Sequence, residues 1–535
     1  MQLNQRGAST LCKKERMETN MKKFFAMALA LALVLTSMVM PAVAETEVTA
    51  PETITIMCDT TVVSEANGRA DFEAQWEALI QEKYGVKIDL VIIQPDHSAY
   101  ADVLQQTMVD RNSWPDVMIL PSTLYSSYAA ANALWDMSAA WDASATKNSG
   151  RFFGDAVIEG LKIDGKLFGF SPTSGNGCVT YVKKAWLDNV GIEKVPTTWD
   201  EYAEMLDAFA NGDPDGNGKD GDTYGVSAAG FVGSEAPYTN YLAEFYQDAY
   251  PSFILKDGKY VDGFTEESMK GALERLAMGF EYGWIDPTTL TNATKDCRNM
   301  FYDNKFGAFT YWAGNWAQNL KNNLEAKNVD SVLIPMAPIA EVGKYFDRVP
   351  PVWAITRECD NPEGVFKYFI DTMLDGGDIQ MLWTYGAEDV HWSRKAETVL
   401  DVAYAEGEFH MRENLETAGT AYTKNHIDPK LALANFAEGY DAPNQMTDVM
   451  AESADVFNAN SKLAAIVPTT TEMSELNGDL TALKNELIAN VAMGKMTYDE
   501  AMAQFNADPT GAAASQKIVD SLNAYLAEQA AKAAE

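Results

Sequence analysis

Short apolar runs alternate with segments of helical periodicity in the first part of the chain. The strands predicted from this pattern are residues 53–58, 86–93 and 116–120, and the helices between them run from Phe72 to Tyr84 and from Tyr100 to Met108. Such alternation predicts parallel strands joined by right-handed crossovers, in which ligands bind beyond the carboxyl ends of the strands. The loops after two of these strands, residues 59–65 and 121–125, are therefore candidate binding loops. Their candidate ligand contacts are Asp59, Ser122 and Tyr125.

The pattern continues with strands that leave this region and return to it. Residues 166–182 form two extended runs and predict a first crossing into a second lobe. The further predicted elements are a helix with Met269, Leu273, Leu276 and Phe280 on one face, strands at 307–312, 332–338 and 351–356, a helix starting at Asn361–Pro362, helical segments from 445 onward broken at Pro468 and Asn477, and a helix over 512–535. The strand at 351–356 is predicted to return to the first lobe.

An amphipathic helix within residues 195–225 leads into an acidic turn. Thr198 with Glu201 three positions later predicts a capping box, and Tyr202 and Phe209 mark the buried face of the helix. The turn that follows carries oxygen-bearing side chains at alternate positions, as the first half of a calcium loop does. Its candidate metal ligands are Asp213, Asp215, Asn217, Lys219 through its carbonyl, and Asp222.

The resemblance to a calcium loop is incomplete. Tyr224 stands at the twelfth position, where helix-loop-helix calcium sites place a bidentate Glu, so Asp220 or Asp222 must complete the shell. We expect a structural Ca²⁺ in this loop. The alternative is a surface turn that needs no ion, because Asn, Asp and Gly populate turns through their own local hydrogen bonds.

Three motifs in this order carry a resemblance to a known family. They are residues 164–169 (DGKLFG), residues 181–191 (YVKKAWLDNVG) and the residue 195–225 stretch with its TTWDE and DPDGNGK sequences. Together they resemble the extracellular solute-binding proteins of ABC importers, specifically the sugar- and oligosaccharide-binding branch of family 1, many of which are lipoproteins.

The resemblance implies an α/β fold of the type II periplasmic-binding-protein kind, with two lobes and a helical C-terminal region. The expected division is a presegment and signal peptide at 1–44, one lobe from 45–168 and 345–400, and a second from 169–344 and 401–535. The implied function is capture of a saccharide between the lobes and its delivery to a membrane permease. We expect a monomer without catalytic activity.

The N-terminus is typical of an exported protein. Lys22 and Lys23 precede an apolar stretch that ends in the small-residue sequence 42–44, which predicts a secretory signal cleaved after Ala44. A transmembrane anchor is the alternative, although the apolar stretch is short for a span. No Cys follows at the position that a lipoprotein requires. The expected location is the extracellular face of the cell envelope or the periplasm.

Composition narrows the ligand and excludes some partners. The chain holds 41 Lys and Arg against 77 Asp and Glu, a formal net charge of −36. This charge argues against nucleic acid or anionic lipid as a partner and favours a neutral or cationic ligand. Cys58, Cys178, Cys297 and Cys359 show no metal-binding spacing, and we interpret them as buried small side chains rather than disulfide partners.

Aromatic residues that follow predicted strands or helix ends are the candidate sugar platforms, because sugars present apolar ring faces rimmed by hydroxyls. The candidates are Trp312 and Trp316, Trp353, Trp383 and Tyr385, with Glu388, Asp59, Arg298 and Arg348 as groups that orient hydroxyls. Each Trp has a core position as its alternative, and Trp76 and Trp199 are assigned to the core. Each charged group has a solvated surface position as its alternative.

Two other functions remain open at this stage. A secreted carbohydrate-active enzyme would share the acidic composition and the aromatics, and would need two carboxylates about 5–10 Å apart across the scissile bond. No local motif of a serine hydrolase or zinc protease is present. A binding domain that serves a surface sensor would have the same sequence features as one that serves a permease.

Overall fold

The computed structural model describes residues 48–63, 68–229, 242–399, 401–412, 427–429, 431–440 and 447–533. The presegment at 1–44, positions 64 and 65 of the first candidate loop and positions 445 and 446 lie outside this part of the chain. The chain divides at Thr49, and every element described here belongs to the unit Ala50–Glu535. None of the helices in the described part is long and apolar enough to cross a membrane.

The strands are short, and the predicted ones are present within a few residues of their expected bounds. They are β1 Thr53–Met57, β2 Asp89–Ile93, β3 Val117–Leu120, β4 Cys178–Lys183, β5 Tyr224–Val226, β6 Phe253–Lys256, β7 Lys259–Asp262, β8 Phe306–Trp312, β9 Leu333–Met336, β10 Tyr345–Asp347, β11 Val352–Ile355, β12 Trp392–Ser393, β13 Glu397–Val399, β14 Val402–Tyr404, β15 His410–Met411 and β16 Ser461–Leu463.

Helices cover the sheets and form the C-terminal region. They are α1 Arg69–Tyr84, α2 Tyr100–Thr107, α3 Ser122–Ala130, α4 Ser138–Asp142, α5 Asp155–Leu161, α6 Lys184–Asn189, α7 Trp199–Asn211, α8 Ala243–Tyr246, α9 Glu267–Glu281, α10 Thr294–Tyr302, α11 Asn315–Ala326, α12 Pro362–Val365, α13 Asp378–Tyr385, α14 Asp448–Ala459, α15 Thr471–Ala492, α16 Tyr498–Ala507 and α17 Ala512–Ala533.

The first lobe is built on a four-stranded sheet in the order β11-β3-β1-β2. Strands β1, β2 and β3 run parallel, and β11 pairs antiparallel with β3. Helix α1 packs against this sheet through a buried face at Phe72, Trp76 and Ile80, and it ends at Gly85. Gly85 has a φ of 70°, a left-handed conformation that glycine adopts without steric cost.

The second lobe has a four-stranded sheet of its own, in the order β5-β8-β4-β9. Strand β4 runs antiparallel to β8 and to β9, while β5 runs parallel to β8. The carboxyl end of β8 therefore lies beside the start of β4, with Trp312 opposite Cys178. Each sheet has a separate hydrophobic core, which gives the two-lobed α/β architecture that the sequence predicted.

Two details of the lobe assignment differ from the expectation. Ile427 and Leu433 were expected in the second lobe, but they pack in the core of the first. Asn477, a predicted helix break, lies inside α15, because the buried side chains Leu480 and Leu487 hold the helix continuous across it. Tertiary packing rather than local propensity decides such cases.

The C-terminal helices belong mainly to the second lobe. Lys484 of α15 donates to the buried Asp262 of β7 at 2.7 Å, and Ser515 of α17 donates to the other oxygen of that carboxylate at 2.6 Å. A buried carboxylate needs such partners, because an unpaired charge in the interior costs on the order of several kcal/mol of stability. Ser126 of the first lobe also contacts Thr469, so this region touches both lobes.

Candidate functional site

The carboxyl edges of the two sheets are joined by a short segment between β10 and β11, residues 348–351, which we call the crossing segment. Val352 of β11 pairs with Leu120 at the carboxyl end of β3, so residues before Val352 lie at that edge of the first sheet. On the other side, the Arg348 guanidinium lies 4.7 Å from the centre of the Trp312 ring, at the carboxyl end of β8. We call the region around Asp59, His97, Trp312, Trp316 and Arg348 the junction.

The first lobe contributes a hydrogen-bonded pair to the junction. Asp59 follows β1, and one of its carboxylate oxygens lies 2.8 Å from Nδ1 of His97, which follows β2. The other oxygen accepts hydrogen bonds from the backbone N–H and the hydroxyl of Thr61. This arrangement is expected where parallel strands end at one edge, since consecutive loops then meet.

These contacts set the charges of the pair. Burial alone would raise the pKa of Asp59, but the hydrogen bonds from His97 and Thr61 outweigh it and hold that pKa below its usual value. The hydrogen bond to Asp59 raises the pKa of His97 above its usual value, while burial and the positive charge of Arg348 act in the opposite direction. Arg348 of the crossing segment is therefore close enough for its charge to act on His97 of the first lobe.

The second lobe contributes aromatic rings from the end of β8 and the first turn of α11. Trp312 and Trp316 are both half-buried, in contrast to the fully buried strand residues that precede them. The guanidinium of Arg298, on α10, lies 5.0 Å from the centre of the Trp316 ring and 6.0 Å from that of Tyr311. Each of these two half-buried tryptophans therefore has an arginine over one face of its ring.

Asp347, next to Arg348 on β10, has an unusual environment. Its Oδ1 is buried without a hydrogen-bond partner in the described part of the chain. A Cβ added at Gly175 would lie 2.2 Å from that oxygen, so the carboxylate packs directly against the backbone of Gly175. Burial raises the pKa of Asp347 to about 7, although the adjacent Arg348 acts to lower it.

The predicted ligand contacts divide into two groups. Asp59, Trp312 and Trp316 lie at the junction, and Ser122, at the start of α3, follows the third strand of the same edge. Arg298 and Arg348, two of the proposed hydroxyl-orienting groups, are also there. The binding roles themselves stay predictions, because these observations give position rather than contact with a ligand.

The remaining aromatic candidates are core residues, which corrects their assignment as ligand contacts. Trp353 and Trp383 are each 0% exposed, and their ring centres are 5.7 Å apart in the first-lobe core. Tyr125 is also 0% exposed and donates to the Leu161 carbonyl at 2.6 Å. Tyr385 is buried beside Phe409, with ring centres 5.0 Å apart. These rings pack against other protein groups, so their faces are not presented to a ligand in this conformation.

Glu388 lies on the surface, which is the alternative that the sequence left open for each charged candidate. Its backbone N–H donates to Gln75 Oε1 at 2.9 Å, and its carbonyl accepts from Gln75 Nε2 at 2.9 Å. These two bonds fix the loop to α1 in the first lobe. Partial burial raises the pKa of Glu388.

Sequence reasoning missed His97 and Asp347 as junction residues. His97 is not among the ligand contacts predicted from the sequence, and His426, another of the four histidines, lies outside the described residues. The position of His97 directly after a strand could have identified it by the rule that selected Asp59. No sequence signal marks Asp347, because its environment depends on a glycine distant in the sequence.

The acidic turn has the helix start that was predicted, with one change. Thr198 caps α7 and accepts from the Glu201 N–H. The Glu201 carboxylate accepts from the N–H and hydroxyl of Thr197, one residue earlier than the capping box requires. Its pKa is held below the usual value by these hydrogen bonds.

Within the turn, the Asp carboxylates accept hydrogen bonds from backbone and side-chain N–H groups of the same turn. Asp213 accepts from the N–H groups of Asn217 and Gly218, each at 2.9 Å. The Asn217 side-chain amide lies 3.0 Å from oxygens of both Asp215 and Asp222. Among the described residues, no three His, Cys, Asp or Glu side chains are grouped closely enough to hold a metal. The donor types suit a hard cation, but the present geometry is that of a self-bonded turn.

Cysteine behaves as the sequence predicted. Cys58, Cys178, Cys297 and Cys359 are all buried and free of disulfide bonds. Burial raises the pKa of the Cys359 thiol to about 12, so it stays protonated. Trp76 is fully buried as expected, whereas Trp199 is only partly buried at the edge of the second core.

Residues 67–375 match the sequence family described as bacterial extracellular solute-binding protein. The chain belongs to this family. It is 25% identical over 260 residues to the polygalacturonan/rhamnogalacturonan-binding protein YtcQ of Bacillus subtilis, covering 44% of this chain and 48% of that one. It is 26% identical over 159 residues to the fructooligosaccharide ABC transporter substrate-binding protein FusA of Streptococcus pneumoniae, covering 30% and 28%.

The chain thus spans about half or less of the length of the curated relatives it matches. A solved structure, the N-glycan transport solute-binding protein NgtS of Streptococcus pneumoniae, has the same fold with a TM-score of 0.61. The two chains are 14% identical, and the similarity covers 90% of this chain and 99% of that one. The likeness confirms the two-lobed solute-binding fold.

Proposed function

We propose that this solute-binding protein captures a sugar or oligosaccharide between its lobes and delivers it to the membrane permease of an ABC importer. The observation that carries the proposal is the pair of half-buried rings, Trp312 and Trp316, at the carboxyl edge of the second-lobe sheet. They lie across the crossing segment from Asp59 and His97 of the first lobe. Ring faces bind the apolar faces of a sugar, and the polar pair binds its hydroxyls.

Capture between lobes follows from this division of contacts. A ligand that contacts the tryptophans and the Asp59–His97 pair at once binds the closed arrangement more tightly than an open one, and so shifts the population toward closure. The crossing segment through Arg348 is short and is the natural place for the hinge. Relatives named as binding polygalacturonan or fructooligosaccharide support a saccharide ligand.

The proposal includes release of the ligand unchanged. The family is one of binding proteins, and the two carboxylates nearest the junction are poorly suited to glycoside cleavage. Asp59 is tied to His97 and Thr61 and is ionised, which removes it as a general acid. Asp347 faces the backbone of Gly175 rather than an opening. The predicted N-terminal signal and the extracellular family support a location outside the cytoplasmic membrane.

A thermal-shift screen of the full chain tests this function. Neutral and acidic oligosaccharides are added at concentrations far above expected dissociation constants, and the ligands are recovered afterwards and separated by chromatography. Saturation at 100 times Kd stabilises the native state by about 2.7 kcal/mol, so a binding saccharide raises Tm clearly. Recovery of shortened saccharides would instead support the enzyme, and no shift with any saccharide would overturn the proposal.

We also propose that the acidic turn binds Ca²⁺ after a local rearrangement. Asp215 and Asp222 already lie within hydrogen-bond distance of the Asn217 amide, so rotation of that amide would place its oxygen beside their carboxylates. Asp213 and the Lys219 carbonyl would complete the shell, and the ion would relieve the repulsion among the carboxylates. The ion would stabilise the turn without taking part in saccharide binding.

Calcium binding is measured as the change in Tm between Ca²⁺ and a chelator. The Asp213→Asn variant is expected to abolish the change, because it removes a charged ligand. Asp257→Asn, in the exposed turn between β6 and β7, is the matched control and should keep it. An equal Tm with and without Ca²⁺ in the unmodified protein would contradict the proposal and support a turn held by its own hydrogen bonds.

A further inference from the structure

Arg298 lies beside the candidate sugar platform, and like Arg394 it has a guanidinium over a tryptophan without an ion pair in the described part of the chain. It is half-buried on α10, with its guanidinium stacked on Trp316 and near Tyr311. Within the described ranges, no carboxylate lies at ion-pair distance from it and no group accepts a hydrogen bond from it. By contrast Arg111, which also stacks on a tryptophan, is paired with Glu358 at 2.7 Å.

A half-buried guanidinium keeps donors that are open to solvent or to a ligand. Its five N–H donors lie in a planar fork that matches a planar acceptor. The chain offers 77 Asp and Glu that could have been placed beside it. The structure instead leaves the fork open beside the candidate sugar platform.

The second guanidinium at the junction also lies over a tryptophan. Arg348 is exposed and stacks on Trp312, four residues before Trp316. Both half-buried rings therefore carry a cation on one face. Of the nearby carboxylates, Asp59 is bound by His97 and Asp347 is turned toward Gly175, so neither is placed to pair with Arg298.

We propose that the junction selects saccharides that carry a carboxylate, with Arg298 binding the acid group of a uronate and Trp312 and Trp316 binding the sugar ring faces. The inference rests on the proposed function and narrows its ligand class. A planar guanidinium matches a carboxylate with two parallel hydrogen bonds, and stacking on the indole holds the fork in place. The net charge of −36 predicted a neutral or cationic ligand, but the local charge at the site decides recognition.

The comparisons leave the acidic or neutral character of the ligand open. YtcQ is named for polygalacturonan and rhamnogalacturonan, whereas FusA is named for fructooligosaccharides. Only the arrangement of Arg298 and Arg348 separates the two classes for this chain. Ionic strength provides an independent signature, because screening weakens binding of a charged ligand and leaves a neutral one nearly unaffected.

The test uses matched pairs of oligosaccharides that differ only in oxidation at C6. Oligomers of galacturonate, glucuronate and mannuronate are compared with the corresponding neutral oligomers by calorimetry on the full chain, at low and high NaCl. We expect at least one acidic oligomer to bind at least about tenfold more tightly than its neutral partner, since hydrogen bonds to charged groups contribute about 1.5–3 kcal/mol. Its affinity should fall with added salt.

The variants locate the effect. Arg298→Gln should weaken binding of the acidic oligomer at least about tenfold while leaving the neutral partner nearly unchanged. Arg111→Gln removes an arginine stacked on a tryptophan far from the junction and should change neither. Thermal unfolding of each variant confirms that it is folded.

Each outcome has a distinct meaning. Equal or tighter binding of the neutral partners, or an acidic preference that Arg298→Gln leaves intact, overturns the acidic specificity while the saccharide function stands. Binding of neutral oligomers alone does the same. Absence of binding by every acidic and neutral saccharide overturns the proposed function, and the specificity with it.

Discussion

Two pairs of tryptophans that the sequence offers as sugar platforms have opposite environments in the fold. Trp353 and Trp383 are fully buried in the first lobe, where each ring contacts other rings, including Phe369 and Phe72. Trp312 and Trp316 are half-buried at the carboxyl edge of the second-lobe sheet, where one arginine lies over one face of each ring. All four tryptophans are candidate sugar platforms in the sequence.

The difference teaches that the partner of a ring shows its role better than its sequence neighbours do. A ring packed edge to face among other rings contributes to the stability of the core. A ring with one face under a guanidinium and part of its surface exposed is held in position while still able to contact a ligand. The first pair should therefore control folding, and the second pair should control binding.

The largest expected effect is on stability in the first lobe. Trp353→Ala should lower the free energy of unfolding by about 3–5 kcal/mol, because it leaves a large cavity between Phe369 and Trp383. Chemical denaturation measures the change. Trp316→Ala is the comparison and should cost far less, because its ring is already partly exposed. Similar losses in both variants would break the distinction between the pairs.

The next effect is on binding at the junction. Trp316→Ala should weaken the affinity for a bound saccharide by about tenfold or more, because truncating an anchoring aromatic typically costs more than about 1–2 kcal/mol. Titration calorimetry gives the affinity. Trp114→Ala is the matched control, since Trp114 is also half-buried beneath an arginine but lies elsewhere in the first lobe. If Trp316→Ala binds the saccharide as tightly as the unmodified protein does, this ring is not part of the binding site.

The smallest expected effect is a pH dependence of stability, which distinguishes the junction from the buried tryptophans. Burial against Gly175 raises the pKa of Asp347 from 3.8 to about 7, so the folded state holds a proton that the unfolded state has already lost. Stability contributed by this group therefore falls as the pH rises from about 4 to about 7 and is level above that range. No titrating carboxylate is expected among the buried rings of the Trp353 cluster.

Asp347→Asn should remove this dependence, which is measured as Tm at pH values from 4 to 8 in steps of about half a unit. The variant should gain stability relative to the unmodified protein as the pH rises, because it carries no charge to bury. Asp257→Asn, on an exposed turn, should follow the unmodified profile. Parallel curves for Asp347→Asn and the unmodified protein would show that the carboxylate is solvated after all.

The apolar periodicity of the chain was sufficient to predict the alternating strands and helices, the return of residues 351–356 to the first lobe and the loops that meet at the sheet edge. These features are local or follow from the handedness of crossovers, so they can be inferred without coordinates. Asp59 was found in this way, and His97 could have been. The helical breaks were less predictable, because packing of Leu480 and Leu487 carries α15 through Asn477.

Only the tertiary structure decided which rings face a ligand and which charges remain open. Trp353 and Trp316 are both candidate sugar platforms in the sequence, but Trp353 packs against Phe369 and Trp383 in the first-lobe core while Trp316 lies at the junction under Arg298. Likewise Asp347 has a raised pKa because Gly175 lies against it, and Arg298 has an open guanidinium because no described carboxylate is folded beside it. Burial and electrostatic pairing depend on contacts between residues far apart in the chain, which periodicity and composition do not contain.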